Sequence, residues 1–416
     1  MIAAARSRNP FRVLITHRNY RIFWIGQTLS LTGSWMQTMA LGWLSLQLSN
    51  SAFVVALVAG VGAVPVVLFS MHAGALIDRA DRLKVVRITQ AVFLAQALVL
   101  WLLTWSGNAT IGTLLILAFL QGLATAIEVP ARQSLIIQLV GRDDLQSAIA
   151  LNASGFNLAR IVGPAIGSLV IHRFGIAWCF GLNALSFVAV LWGLLLIRLP
   201  EVASAFAGER LRDVLAAATR DASAGLKHLD QPGVVRDLLA LVTMGAIFGA
   251  PFITLMPAMA RDRLGLNASG FGVLLASLGV GGLVGALTIA GPATHWNRSR
   301  VMRATALAFP VLVIILAFTS NARLAELLLF LIGIVMIMFN ALTNGILQMR
   351  VPDEFRGRLM AFYSLVFVGL SQVVGALAVG AVAGAVGVHW AVGGSALLTL
   401  GFAAWTFARS PELARI

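Results

Sequence analysis

The sequence predicts an all-α membrane protein, with twelve transmembrane helices in two pseudo-symmetric six-helix bundles. Three observations carry this prediction. The chain of 416 residues is 59% hydrophobic and only 11% charged, whereas soluble domains carry about 25% charged residues. Its apolar residues fall into twelve runs, each long enough as a helix to cross roughly 30 Å of hydrocarbon. The basic residues lie mostly on one side of those runs. Of 30 lysines and arginines, Arg173, Arg261, Arg263 and Arg323 lie on the other side, Arg160 lies inside a run, and the remaining 25 share one side. That bias marks the cytoplasmic face and places both tails there. It also accounts for the net charge of +14 without nucleic acid as a partner.

In order, a cytoplasmic N-terminal tail spans 1–21 and carries Arg6, Arg8, Arg12, Arg18 and Arg21. The first bundle spans 22–197, with runs at 22–47, 52–77, 85–106, 111–137, 145–171 and 176–197. A polar stretch, 198–236, follows. Its segment LRDVLAAATRDASAGLKHL reads as an amphipathic helix on the membrane surface or between the halves. The second bundle spans 237–408, with runs at 237–260, 270–292, 301–319, 324–349, 358–386 and 389–408. A short cytoplasmic tail, 409–416, closes the sequence. No cleavable signal peptide is expected, because the first apolar run is too long and a basic tail precedes it. The halves echo each other. A shift of 210 residues pairs Gln138 with Gln348, Asp143 with Asp353, Asp144 with Glu354 and Ser154 with Ser364. Asn50 and Asn267 pair at a slightly different offset.

Polar residues inside the runs are the candidates for function, since hydrocarbon cannot satisfy them. Arg160 comes first. A guanidinium at bilayer depth costs from roughly 3 to more than 10 kcal/mol, so it must face protein or water. It is either a buried structural ion-pair partner or a cavity-facing charge that attracts anionic groups or answers a protonating acid. Four residues later Pro164 removes an N–H and frees the Arg160 carbonyl. Gly155, Gly163 and Gly167 permit close approach of another helix. The equivalents of Arg160 and Pro164 in the second half are Leu370 and Val374, so special chemistry is expected in the first half.

Gln27, Ser30, Ser34 and Gln37 share one helical face, lining a substrate path or bonding neighbouring helices. Met244, Phe248, Phe252 and Met256 form an adaptable apolar stripe suited to a pocket or to plain packing. Asn340 and Asn344 are further cavity candidates. Glu128 is an acid well inside a helix, read as a proton-coupling group or as a latch with Arg82 or Arg132. Asp143 and Asp144 are expected to cap and charge the start of the fifth helix. Cys179 excludes an intramolecular disulfide and a cysteine metal cluster. The six histidines show no metal spacing, and no nucleotide-binding loop is present, so neither cofactor nor metal is expected and ATP is not the direct energy source.

The loop GALIDRADRLK, with Gly74, Asp78 and Arg82 at four-residue spacing, resembles the signature loop of the major facilitator superfamily. That resemblance implies that Gly74 is a packing position and that Asp78 and Arg82 are gate residues locking the cytoplasmic side. Asp81 stands where the family commonly has glycine. EVPAR at Glu128 to Arg132, then GRDDL and GFNLARIVGP, resemble the drug and siderophore exporter branch that includes enterobactin and macrolide exporters. The glycine–proline element there is similar to that of drug:proton antiporters. The resemblance implies a multi-pass secondary exporter of the bacterial cytoplasmic membrane; a monomer is expected, and not an enzyme, since the helices offer only Arg160, Glu128 and scattered amides where a catalytic site needs several convergent polar groups. Its partners would be lipid, protons and a hydrophobic or amphipathic small molecule, carried by alternating access. A facilitator or symporter importing a metabolite, or a transport-inactive sensor or scaffold, are the alternatives.

Overall fold

The computed structural model describes residues 11–77, 80–199, 233–291, 296–351, 363, 365–410 and 413. These are helical, with no strand among them. In chain order the helices are α1 Arg12–Thr16, α2 Arg18–Ser49, α3 Ala52–Ile77, α4 Arg82–Trp105, α5 Ile111–Val140, α6 Leu145–Phe174 and α7 Ala177–Leu196. After the linker come α8 Val234–Met244, α9 Pro251–Thr254, α10 Met256–Asp262, α11 Ala268–Ala290, α12 Arg298–Phe318, α13 Ala322–Arg350, α14 Ala376–Val386 and α15 Val388–Arg409. Most of the linker and its expected amphipathic helix lie outside the described residues. So do Asp78 and the surroundings of Gly74.

The sequence predicts twelve spans; eleven runs among the described residues are long and apolar enough to cross a membrane. The exception is α2, which at 32 residues is long enough but carries Gln27, Ser30, Ser34 and Gln37. Two expected helices are not regular. The seventh run is interrupted by a π-helical stretch, Gly245–Gly249, where the Ala250 amide donates to the Gly245 carbonyl, five residues back. Pro251 and Pro257 then stand at or next to the first positions of α9 and α10. Proline lacks the N–H that a continuous helix needs but suits a first turn. The eleventh run enters α14 through a second π-helical stretch, Leu365–Gly375. By contrast, α6 remains one helix through Pro164.

Outward faces are apolar: Leu102, Ile116, Leu169, Leu185, Leu195, Leu287 and Leu397 are exposed. In a membrane these are lipid contacts. Aromatic rings gather at the end opposite the tails, hereafter the far end. There Trp101 lies near Trp105 and Trp178, and Phe318 meets His389 and Trp390 edge-on. Such rings suit a membrane–water interface.

Within the first half, α2 packs on α6 and α7, α3 on α5, and α4 on α5 and α7. Within the second, α11 packs on α13, and α12 on α13 and α15. The halves meet where α6 crosses α11 and where α3 crosses α14 and the stretch Leu365–Gly375. Small residues make these approaches possible. A Cβ at Gly163 would stand 2.7 Å from the Thr32 carbonyl oxygen, and one at Gly167 would stand 2.7 Å from the Met39 methyl, so α6 lies directly on α2. Gly155 likewise faces Thr28 and Trp24. The tightest seam joins α11 to α13. Gly281 faces the Phe330 carbonyl with no room for a Cβ, and a Cβ on Gly285 would lie 2.5 Å from the Ile334 oxygen.

Hydrophobic packing differs between the two ends. At the far end one core joins both halves, running from Met39, Trp43 and Val55 to Met256, Leu274 and Val392. At the end bearing the tails the halves have separate cores among the described residues. Tyr20, Leu135 and Leu194 belong to one, and Leu238, Met302 and Ile346 to the other. Gly281→Val should therefore push α13 off α11, costing at least about 1–3 kcal/mol as in other overpacked interiors. A lowered melting temperature of the detergent-purified protein would show it. Gly394→Ala, which faces open space, should leave that temperature unchanged.

Candidate transport cavity

A cavity of about 390 Å³ lies at the junction of the halves. From the first half α2, α3 and α6 line it, through Trp35, Thr38, Met39, Val58, Arg160 and Pro164. From the second come Met244 and Gly245, Phe271 and Leu278 of α11, Phe309 of α12, Asn340 of α13, Ser371 and Gln372, and Phe402 of α15. Both π-helical stretches reach its wall. Such stretches often occur where a helix is bent to functional use.

Arg160 lies midway along the 30 residues of α6 and is the ionisable side chain among the described lining residues. No hydrogen-bond or ion-pair partner for it is found among the described residues. Its guanidinium rests against α11 where Gly282 leaves space: a Cβ there would come within 2.8 Å of Nη2 and 3.2 Å of Ile337 on α13. Pro164 follows on the same wall, and its carbonyl faces Gly272 across the α6–α11 crossing. Farther out the Ser168 hydroxyl donates to the Ser269 carbonyl at 2.7 Å. The far end is tied again by Arg261, which donates to Asn50 Oδ1 at 2.8 Å. Asn50 and Asn267, paired by sequence, thus do different work. Asn50 ends α2 in the left-handed region (φ 51), while the Asn267 side chain caps α11.

Of the expected cavity residues, Arg160, Met244 and Asn340 line the space. Gln27, Ser30, Ser34, Gln37, Phe248, Phe252 and Asn344 are not among its lining residues. The reason for Gln37 is clear: it is buried in an amide cluster that holds four helices. It donates to Gln96 at 3.0 Å and accepts from Asn183 at 2.8 Å, with Gln121 within 3.4 Å. Gln27 and Ser30 are also buried, two to three turns earlier on α2. Phe252 is buried against Phe309, their ring centres 6.1 Å apart, and Asn344 accepts from Gln348 one turn on.

Sequence reasoning passed over Trp35, Thr38, Phe309, Ser371 and Gln372. The last two had a signal, since they are a polar pair isolated in LVFVGLSQVVGALAVG. The rule that singled out Arg160 applies to them equally.

Glu128 lies elsewhere. It is buried in the first half, with Arg132 Nε 3.1 Å from its Oε1 and the Gln90 amide donating at 3.4 Å. It is not among the residues lining the cavity. Arg82 is half-buried at the start of α4. Its expected partner Asp78 lies outside the described residues. Asp144 occupies the N-cap position of α6, but its side chain makes no capping hydrogen bond. Instead it meets His17 Nε2 at 2.9 Å, tying α6 to the start of α2. Nearby, Tyr20 and Trp24 donate to the Ala148 and Leu151 carbonyls of α6.

Residues 9–415 match the family model described as transmembrane secretion effector. The multidrug efflux pump Tap of Mycolicibacterium fortuitum is 28% identical, over 86% of this chain and 87% of that protein. The staphyloferrin A transporter of Staphylococcus aureus is 23% identical, over 82% and 84%. A bacterial homolog of the human lysosomal transporter Spinster, solved in an inward-facing and unoccupied conformation, superposes with a TM-score of 0.73 at 13% identity, covering 95% of this chain and 98% of that one. That likeness shows the fold. With its helices, its central cavity and a family match over nearly its whole length, the chain is a multi-pass membrane protein that belongs to the transmembrane secretion effector family of the major facilitator superfamily.

Proposed function

We propose that the chain is a secondary transporter that exports hydrophobic or amphipathic small molecules, of drug or siderophore type, across the bacterial cytoplasmic membrane. The observation that carries this is the mid-membrane cavity between the halves, walled by both and sealed at the far end by their shared core. The names of the relatives, a multidrug efflux pump and a siderophore transporter, support the substrate class. In this reading α2 is the twelfth span, lying inside the first of two six-helix bundles, 22–197 and 237–408. The 25 basic residues on the tail side support a cytoplasmic location for both tails. The far end then faces outward, and the separate cores at the cytoplasmic end are where the bundles part to admit substrate. Rocking of one bundle against the other would carry the cavity from one face to the other. The carrier is read as a monomer.

Proton antiport is the coupling this reading favours. Glu128 would be the proton site, acting at a distance from the cavity. Neutralising it would weaken its pair with Arg132, one turn on in the same helix, and its contact with Gln90, loosening α5 against α4 within the first bundle. Asp78, Arg82 and Gly74 complete the cytoplasmic gate in this scheme.

Purified protein in vesicles with the cytoplasmic face outward tests transport. An acidic lumen should drive accumulation of fluorescent amphiphiles, and the substrates should in turn dissipate the pH gradient. Accumulation indifferent to the gradient would remove proton antiport. Glu128→Gln should abolish concentrative uptake and retain exchange.

The pair itself can be tested by stability. Glu128→Leu removes the ion-pair partner that Arg132 has among the described residues, and because that side chain is largely buried the change should cost up to about 3–5 kcal/mol. Adding Arg132→Leu should recover most of that loss in a double-mutant comparison of melting temperatures.

A further inference from the structure

We infer that the cavity selects amphipathic organic anions: a carboxylate or similar oxyanion on an apolar body, with Arg160 as counter-charge and Asn340 as a neighbouring amide donor. The inference rests on the reading of this cavity as the transport site. Its first support is what lines the space. Arg160 is there, and no carboxylate accompanies it among the described lining residues. The second support is which polar groups are already satisfied. Thr38 donates to the Ser34 carbonyl at 2.9 Å, Thr399 to the Ser395 carbonyl at 3.0 Å, and Thr254 to Gln372 Oε1 at 3.1 Å. Arg160 and Asn340 have no such partner among the described residues.

The third support is position. The guanidinium lies against Gly282 of α11, a position that Ile337 of α13 also borders, and Asn340 is three residues beyond Ile337 on α13. Charge and amide thus line one space, one from each half. A charged guanidinium at this depth needs an anion or water, and its planar fork matches a carboxylate with two parallel hydrogen bonds. The remaining wall, including Leu275, Leu278, Phe309 and Phe339, suits an apolar or aromatic body. A cationic amphiphile would find the same wall but only repulsion at its head.

The test is equilibrium binding to the full chain in lipid nanodiscs, with three ligands that share one body: naphthylacetate, naphthylethanol and naphthylethylammonium. Naphthylacetate should bind at least about tenfold tighter than the alcohol, as a charge-assisted hydrogen-bonded contact implies, and the ammonium should bind weakest. Arg160→Gln should bring naphthylacetate down to the level of the alcohol, and Arg160→Lys should keep part of the difference. If Arg160→Gln does not fold, the wild-type ranking and the lysine variant decide. A flat or reversed ranking in the wild type overturns the inference. So does equal weakening of all three ligands in Arg160→Gln, which would mark a packing role. So does loss of the preference in chloride at about 0.15 M, physiological ionic strength, which would make this an inorganic-anion site. Binding needs no gradient and is read separately from transport. Charge selection with no vesicle transport would sink export and leave this inference standing. Export confined to neutral and cationic compounds would do the reverse.

Discussion

Hydrocarbon offers no hydrogen bonds, and the placement of many polar side chains within the described spans answers to that constraint. Three solutions are visible. Serines and threonines such as Ser45, Thr305 and Thr406 bond the carbonyl one turn back on their own helix. Longer side chains reach the exposed carbonyls of a neighbour, as Arg87 does at the end of α7, donating to Leu194 and Ile197. Amides bond one another across helices, as Gln37, Gln96 and Asn183 do. Arg160 fits none of these. It is housed at the wall of a central space instead, and that space is therefore the chemically distinctive part of the molecule.

The same constraint explains why glycine shapes the interfaces. Helices in lipid gain little from hiding apolar side chains from one another, so they associate through close contact. Gly163 and Gly167 set α6 on α2, and Gly281 and Gly285 set α11 on α13. These are contacts within each half. Between the halves the packing is uneven, with one joint core at the far end and two separate ones toward the tails. A carrier needs such unevenness, because a molecule sealed equally at both ends offers its cargo no way in.

How far the chain could be read before its structure was known depended on what each signal reports. Helix positions were legible, because apolar length and the sidedness of arginine are set by the bilayer rather than by tertiary detail. Arg160 was legible as a residue that must be sheltered, since its charge is fixed whatever surrounds it. The polar face of α2 was ambiguous for a physical reason: an inward-facing glutamine satisfies the bilayer equally well by lining a space or by bonding Gln96 and Asn183. Periodicity gives direction and not partner. The broken seventh helix could be suspected from Pro251 and Pro257. The π-helical stretch at Leu365–Gly375 left no such mark, since the hydrogen-bond shift that makes it belongs to packing rather than to residue type.

That stretch has a genetic consequence. A π-helical turn is an α-helix that holds a residue more than its geometry needs. Removing that residue would let regular hydrogen bonding resume while the turns on either side keep their register. Ser371 and Gln372 reach the cavity wall from inside the stretch, so they are the residues that would be re-aimed, and α14 would keep its seat on α3. A one-codon deletion here, harmless to the hydropathy of the segment, would therefore alter the wall of the cavity in an otherwise inserted protein.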